Sequence, residues 1–231
     1  ESFALRNFGY DYGQIYKPEQ FDIAAIMTGE VQNAKIDLAG LSGDSITIDS
    51  MLSIPNDAVR LAYLGESLYA YEDIWRNASF NIGTSDKNRL VNALRQLSEG
   101  DHPESVVDLE QVIRYFVVHN YVCNGDSYTG SMIHNYYLYE ENGQMAMIPW
   151  DYNLAFGTFQ SGNGQSTVNT PIDAPVSGGA GEDRPMWHWI VSDERYTQLY
   201  HQYFAQFLNT VDVQTLIDNA YNLIQSYVEK D

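Results

Sequence analysis

The clearest hydrophobic pattern in the chain lies between residues 105 and 124. Its apolar positions repeat with the i, i+3, i+4, i+7, i+8 spacing of one helix face. They are Leu109, Val112, Ile113, Phe116 and Val117. Ser105 followed by Asp108 resembles a capping box at the start of the helix. The pattern predicts a helix that packs this face against a core.

Weaker periodicity predicts further helices on both sides. "SFALRNFG" is typical of a helix that ends at Gly9, and "SDKNRLVNALRQLSEG" of one capped by Ser85 and ended by Gly100. After Arg184, Pro185 can start a helix and Ser192 can cap the next one. A last helix has apolar residues at Leu216, Ile217, Tyr221, Leu223 and Ile224.

Strand signals are few and local. "GQIYKPE" predicts a short strand that Pro18 ends, and "MIHNYYLYE" and "QMAMIPW" predict two strands. Asn142-Gly143 between the latter two is a strong β-hairpin signal. "FDIAAIM" suggests one or two helical turns, "SITIDS" a strand, and Pro55 a helix start. One hairpin within a mainly helical chain predicts an α+β fold in which helices dominate.

Composition narrows the possible partners. The chain has 231 residues, 31 acidic against 12 basic, and a net charge of −19. Such a charge repels phosphate backbones and anionic membranes, so we expect no nucleic-acid partner and no membrane insertion. It also favours a divalent cation wherever carboxylates converge. The one cysteine, Cys123, is expected to pack as a small hydrophobic residue.

Several common sites are excluded by their motifs. The chain has no Walker A sequence, no HExxH motif and no zinc-type spacing of Cys and His. "DYNLAFG" begins like a calcium loop, but its sixth position is Phe156, where an EF-hand needs glycine.

Three polar residues remain as candidates for chemistry. Asp126 follows the best-defined helix, Asn135 opens the first hairpin strand, and Asp151 comes just after the second. Because the two ends of an antiparallel hairpin are neighbours, we expect Asn135 and Asp151 to lie side by side, next to the Asp126 loop. Each of the three taken alone is typical of a turn or a cap; only their joint spacing indicates a site.

This layout suits phosphoryl transfer of the kinase type. That reaction uses an Asp that orients the acceptor hydroxyl, an Asn a few residues later that binds Mg²⁺, and a second Asp that binds metal and bridges the phosphates. Amide and carboxylate oxygens are the hard ligands that Mg²⁺ prefers.

The same stretch carries a family resemblance. "NGDSYTGSMIHNYYLYEENGQMAMIPWDYNLAFG" resembles the signature of the CotH kinase family, the atypical kinases similar to spore coat protein H. The opening "SFALRNFGYDYGQIYKPE" is similar to the segment just upstream in that family. The resemblance covers residues 2–160 in outline and is strongest over 105–157.

The resemblance implies a protein-kinase-like fold that phosphorylates Ser or Thr with ATP and Mg²⁺ or Mn²⁺. Asp126 would be the catalytic-loop residue, and Asn135 and Asp151 the metal ligands. Asn153 stands where the family often has a second Asp, and Lys17 is a weaker candidate for nucleotide binding.

The resemblance also implies an organisation and a location. We expect one kinase domain over 1–231, with 1–55 as an N-lobe remnant, 56–231 as the helical C-lobe, and the rest of the N-lobe upstream of residue 1. The substrates would be Ser/Thr-rich secreted, spore-surface or cell-surface proteins of bacteria, with a signal peptide upstream.

Two other function classes stay open. One is a non-catalytic pseudokinase or cell-surface adhesion domain with the same fold. The other is a metal-dependent phosphohydrolase that uses the same carboxylates. The three retained polar residues favour the kinase. The oligomeric state and the preferred metal stay open.

Overall fold

The computed structural model describes residues 3–9, 11–19, 57–100, 102–159 and 164–230. They form helices and one small sheet, so the predicted α+β class is confirmed. The helices are α1 (Phe3–Phe8), α2 (Glu72–Trp75), α3 (Thr84–Glu99), α4 (Leu109–Tyr121), α5 (Gly164–Thr167), α6 (Pro185–Ser192), α7 (Glu194–Thr210) and α8 (Val213–Val228). The strands are β1 (Gln14–Tyr16), β2 (Tyr136–Glu141) and β3 (Gln144–Pro149). "FDIAAIM", "SITIDS" and Pro55 lie outside the described residues.

The sheet is antiparallel, in the order β1-β2-β3. The hairpin pairs Tyr136 with Pro149 at its open end and Glu141 with Gln144 at its turn. Asn142 and Gly143 have φ angles of 53° and 86°. Positive φ at both central residues is the requirement of a type I′ turn, whose twist matches that of the strands. The predicted hairpin and its turn are confirmed.

The core lies where α4 meets α6, α7 and β3. The predicted apolar face of α4 is buried at Val112, Ile113, Phe116 and Val117. Phe116 packs edge-on against Trp187 of α6, with 5.1 Å between ring centroids, and Trp187 contacts a ring of α7 in the same way. Edge-to-face aromatic pairs stabilise a core beyond the area that they bury.

Helix ends follow the expected glycines but not the expected serines. Gly9 and Gly100 have φ angles of 80° and end α1 and α3 as predicted. The cap of α4 is Asp108, which accepts the N–H of Gln111 at 3.1 Å, and that of α7 is Asp193. Ser105 and Ser192 were therefore wrong as caps, because a carboxylate nearer the first turn accepts the free N–H groups.

At α3, the predicted cap lies two residues too late. Ser85 lies inside the helix, and Gly83 precedes it as the cap residue. The backbone N–H of Gly83 donates to the Asp86 carboxylate at 3.0 Å. The carboxylate at the third helical position thus anchors the start of α3, half of the usual capping box.

Two polar contacts hold the hairpin in place. Glu140 is fully buried and accepts Arg89 of α3 at both carboxylate oxygens, at 2.6 and 2.8 Å. Gln111 of α4 donates to the Met147 carbonyl and accepts the Met147 N–H at 2.9 Å. The hairpin is therefore fixed from both sides, and this also fixes the position of the residues at its open end.

The last helix departs from the expected packing. Leu216, Ile217, Tyr221, Leu223 and Ile224, predicted as the apolar face of α8, are all about half exposed or more. In contrast, Trp187 and Trp189 are buried in the core. Over the described residues, the helices are all too short or too polar to cross a membrane.

Candidate active site

Asp126 lies in a tight loop after α4, named here the Asp126 loop (residues 122–131). Its backbone N–H donates to the Asn124 side chain at 3.1 Å, and the Gly130 N–H donates to the Ser127 carbonyl at 2.9 Å. A Cβ added at Gly130 would stand 1.9 Å from the Gly125 carbonyl oxygen. The loop therefore closes on itself so tightly that only glycine fits at position 130.

A buried arginine holds this loop from the other side. Arg184 is fully buried and donates to the carbonyls of Tyr128 at 2.8 Å and Gly130 at 2.9 Å. The Tyr128 hydroxyl accepts the N–H of Met186, the second residue of α6. The start of α6 and the Asp126 loop are thereby joined through three hydrogen bonds.

The hairpin brings Asn135 directly to Asp126. Asn135 precedes β2 and has a φ of 55°, a left-handed conformation that Asn adopts more readily than most residues. Its amide nitrogen donates to Oδ2 of Asp126 at 3.1 Å, and its carbonyl accepts the Ser127 hydroxyl at 3.0 Å. The expected meeting of the hairpin with the Asp126 loop is therefore found in the structure.

Asp151 completes the group from the other hairpin arm. It follows β3 by two residues, is exposed, and has a φ of 53° at the start of the 3-10 turn Tyr152–Leu154. Its negative charge helps to raise the pKa of Asp126, after the larger effect of burial. Asp151 thus lies within electrostatic range of Asp126, on the side where the site opens to solvent.

His134 is the nearest neighbour of the other Asp126 oxygen. Its Nε2 lies 3.3 Å from Oδ1 of Asp126. Burial lowers the pKa of His134, while Asp126 opposes that change. Within the described part of the chain, neither Nδ1 of His134 nor Oδ1 of Asp126 has a hydrogen-bond partner. The sequence leaves two interpretations of His134, a place beside the site or a structural histidine bonded to backbone, and the contact with Asp126 favours the first.

Asp126 is a buried carboxylate in a mixed environment. It is 5% exposed, and burial raises its pKa above the ordinary value. His134 and the hydrogen bond from Asn135 act in the opposite direction, whereas Asp151 adds to the rise. One oxygen of this buried carboxylate accepts from Asn135 and the other lies against His134, so both oxygens face groups of the protein.

Lys17 approaches this group from the sheet edge. It forms an ion pair with Glu19 at 3.0 Å, and the charges of both residues influence the pKa of His134. The segment after β1 therefore lies beside the site. Asn153 is exposed in the 3-10 turn after Asp151.

The side chains of the site offer a divalent cation only part of its coordination shell. The described residues contain no group of three His, Cys, Asp or Glu side chains that could hold a metal by themselves. Mg²⁺ in nucleotide sites does not need one, because one or two carboxylates act together with phosphate oxygens and water. The Asp151 carboxylate and the amide oxygen of Asn135, whose nitrogen is taken by Asp126, fit that kind of partial site.

Sequence reasoning missed two residues that shape the site. Arg184 has no local pattern that could reveal it, because its partners lie more than 50 positions away. Asn124 could have been found from the sequence, because an Asn side chain often accepts a hydrogen bond from the backbone N–H two residues later.

Comparison with known proteins gives the class of the molecule. The chain matches a family of kinases. The matching family model is described as CotH kinase protein and covers residues 1–231, the whole chain, so the protein belongs to the CotH kinase family. The resemblance noted in the sequence is thereby confirmed. No curated protein gives a significant match.

Proposed function

We propose that this protein is an atypical protein kinase that transfers the γ-phosphate of ATP to Ser or Thr of secreted or surface proteins, with Mg²⁺ or Mn²⁺. The observation that carries the proposal is the contact between Asn135 and Asp126 at 3.1 Å, with Asp151 in electrostatic range. These are the residue types and the order that kinase-type phosphoryl transfer requires. Membership of a kinase family supports the same conclusion.

Asp126 would receive the acceptor hydroxyl. Its Oδ2 is held by Asn135, and its Oδ1 is buried 3.3 Å from Nε2 of His134, so Oδ1 would take up the hydroxyl proton as the phosphate transfers once His134 gives way to the acceptor. The tight loop and the buried Arg184 keep this oxygen in one position. Positioning of this kind is the main protein contribution to phosphoryl transfer.

Asn135 and Asp151 would hold the cation. When bound, the divalent ion would neutralise charge on the phosphates of ATP. The two ligands stand at the open ends of β2 and β3, and the type I′ turn fixes their register. Lys17, paired with Glu19 beside His134, is placed to add positive charge near the phosphates.

The proposal extends to the domain organisation of the protein, to its substrate and to its location. We infer a single kinase-like domain over 1–231, in which 56–231 is the helical lobe and 1–55 belongs to the other lobe. A Ser/Thr-rich secreted or surface protein would be the acceptor. The net charge of −19 is consistent with a protein acceptor and argues against nucleic acid.

The test is transfer from labelled ATP. The full-length protein is incubated with γ-labelled ATP and Mg²⁺ or Mn²⁺, and label is followed onto the protein itself and onto a Ser-rich acceptor. We expect transfer that Asp151→Asn abolishes, while Asp218→Asn, an exposed residue of α8, retains it. Absence of both transfer and nucleotide binding by calorimetry would contradict the proposal.

A further inference from the structure

A cavity of about 330 Å³ lies beside the Asp126 loop. Gly125 and Thr129, which lie on either side of Asp126 in the loop, both belong to its lining. Its opposite wall is the segment 170–177. This volume is at the lower end of the range for ligand pockets, so the cavity can hold a group as large as one side chain. Its wall begins one residue before the proposed catalytic residue.

Hydrogen bonds fix the wall formed by segment 170–177 from two sides. The Ile172 carbonyl accepts the hydroxyl of Tyr200, a residue of α7, at 3.1 Å. The Ser177 N–H donates to the Thr129 carbonyl at 2.9 Å, so the same wall is also bonded to the Asp126 loop. The cavity is therefore formed before a ligand enters, and a ligand loses little binding free energy in ordering it.

The surface that an occupant would meet is mainly apolar. Five half-buried side chains without charge or hydroxyl groups supply much of it: Cys123, Phe159, Ile172, Pro175 and Val176. The amides of Asn120 and Asn124 lie beneath this surface, at 9% and 2% exposure, and are covered by the lining. Burial of an apolar group against such a surface is favoured by the hydrophobic effect.

The remaining lining selects against charge. None of the described residues around the cavity is Lys, Arg, Asp or Glu. His119 belongs to the lining but is 1% exposed, and its ring nitrogens already contact the hydroxyls of Thr129 and Tyr152, at 2.6 and 3.0 Å. A charged occupant would therefore lose its hydration without gaining an opposite charge.

The position of the cavity suits a substrate of Asp126. An extended chain rises about 3.3 Å per residue, so a residue within about three positions of the phosphorylated one can reach the wall at Gly125. We propose that the cavity binds a large apolar side chain of the acceptor protein, that of Leu, Ile, Met or Phe, close in sequence to the phosphorylated Ser or Thr. This inference rests on the proposed kinase function, because a substrate of Asp126 is what brings such a side chain to this wall.

The test uses synthetic peptides that contain one Ser in an Ala-Gly background, with Leu, Ala, Asn, Asp or Lys at each flanking position in turn. One measurement is the retention of each peptide by the immobilised full-length protein without nucleotide; the other is its rate of phosphorylation with ATP and Mg²⁺ or Mn²⁺. We expect Leu to be preferred over Ala about tenfold or more at one flanking position, since added methyl groups in a hydrophobic pocket give a factor of this size. Asn, Asp and Lys should not be preferred over Ala there.

Two substitutions of one lining residue link the preference to the cavity. Thr170 is exposed at the cavity wall, so the fold should tolerate a change there. Thr170→Trp places an indole at the wall and should remove the preference for Leu, whereas Thr170→Asp adds a carboxylate and should shift the preference from Leu towards Lys. Val168→Trp and Val168→Asp are the matched controls, because Val168 is 74% exposed nearby and is not part of the lining, and both should keep the preference for Leu.

The outcomes separate the two proposals. Preferential retention of Leu peptides that Thr170→Trp removes, without any phosphate transfer, would support the apolar site and contradict the kinase function. Phosphate transfer with no preference for Leu at any flanking position would support the kinase function and overturn the apolar site. A preference for Leu that survives in both Thr170 variants, or a preference for Asn, Asp or Lys in the unchanged protein, would also overturn the apolar site.

Discussion

Replacement of Arg184 by Met tests how firmly the Asp126 loop is held. The change keeps an unbranched stem but removes the guanidinium, which makes two short hydrogen bonds to buried carbonyls and longer ones of 3.3 and 3.4 Å to Asp183 and Ser177. Each buried carbonyl left without a donor costs about 1–3 kcal/mol. The two short bonds together therefore give a loss of about 2–6 kcal/mol.

Part of this loss is offset. Burial lowers the pKa of Arg184, so the folded protein bears a cost for holding that charge away from water, and Met removes this cost. We expect a net decrease in the free energy of unfolding of about 2–4 kcal/mol, or roughly 5–15 °C in Tm for a chain of this length. Chemical denaturation followed by circular dichroism measures it.

Arg95→Met is the matched control, because Arg95 is partly exposed and pairs with Glu99 across one helical turn. That pair is worth only about 0.3–0.5 kcal/mol. If Arg184→Met and Arg95→Met differ by less than about 0.5 kcal/mol, the guanidinium does not hold the loop and the reasoning is refuted.

Three further substitutions test other parts of the structure. Gly130→Ala should lower Tm strongly, because its Cβ would meet the Gly125 carbonyl at 1.9 Å, whereas Gly125→Ala, whose nearest neighbour is a side chain at 3.7 Å, should leave Tm almost unchanged. Glu140→Gln should cost about 1–3 kcal/mol in urea denaturation, since Arg89, itself about one-third exposed, loses a fully buried charged partner. His119→Gln should reduce the loss of stability as pH falls from 6.5 towards 5, measured as Tm against pH.

The sign of the pH effect follows from burial of His119. Its pKa is about 3 in the folded protein and about 6.5 when unfolded, so between these values only the unfolded chain binds the proton. Acid therefore favours unfolding, by up to about 1.4 kcal/mol per pH unit. Glu104, whose pKa is lowered to about 2, adds to the loss of stability below about pH 4.5, so the comparison is read between pH 6.5 and 5.

Each of these three expectations has a contradicting result. Equal Tm values for Gly130→Ala and Gly125→Ala would mean that the loop does not close as described. A Glu140→Gln variant as stable as Glu99→Gln, an exposed control, would show that the hairpin is held by other contacts. An unchanged pH profile in His119→Gln would place the acid sensitivity elsewhere.

Local structure was predictable where a single residue type is required. Asn142-Gly143 predicted the hairpin, and Gly9 and Gly100 the helix ends, because left-handed backbone excludes most other residues. Helix starts were less predictable at Ser105, Ser85 and Ser192, since several neighbouring polar side chains can accept the same N–H groups.

Long-range packing could not be read from local patterns. The apolar stripe of α8 looks like that of α4, yet α4 is buried and the described face of α8 is exposed. The contacts of the site show the same division between those that local patterns predict and those that they do not. The contact between Asn135 and Asp126 followed from hairpin geometry, whereas Arg184 reaches the loop from 54 or 56 positions away and Asn153 gains no contact with Asp126 in the described structure.

The most direct test of the account is single-turnover transfer of the γ-phosphate from ATP by the full-length protein and by Asp126→Asn. The account predicts phosphorylation of a Ser or Thr acceptor that slows about 100-fold or more in Asp126→Asn, the typical contribution of general acid-base catalysis, with nucleotide binding retained. Equal rates for the two proteins, or no transfer by the intact protein with any divalent cation, would contradict it.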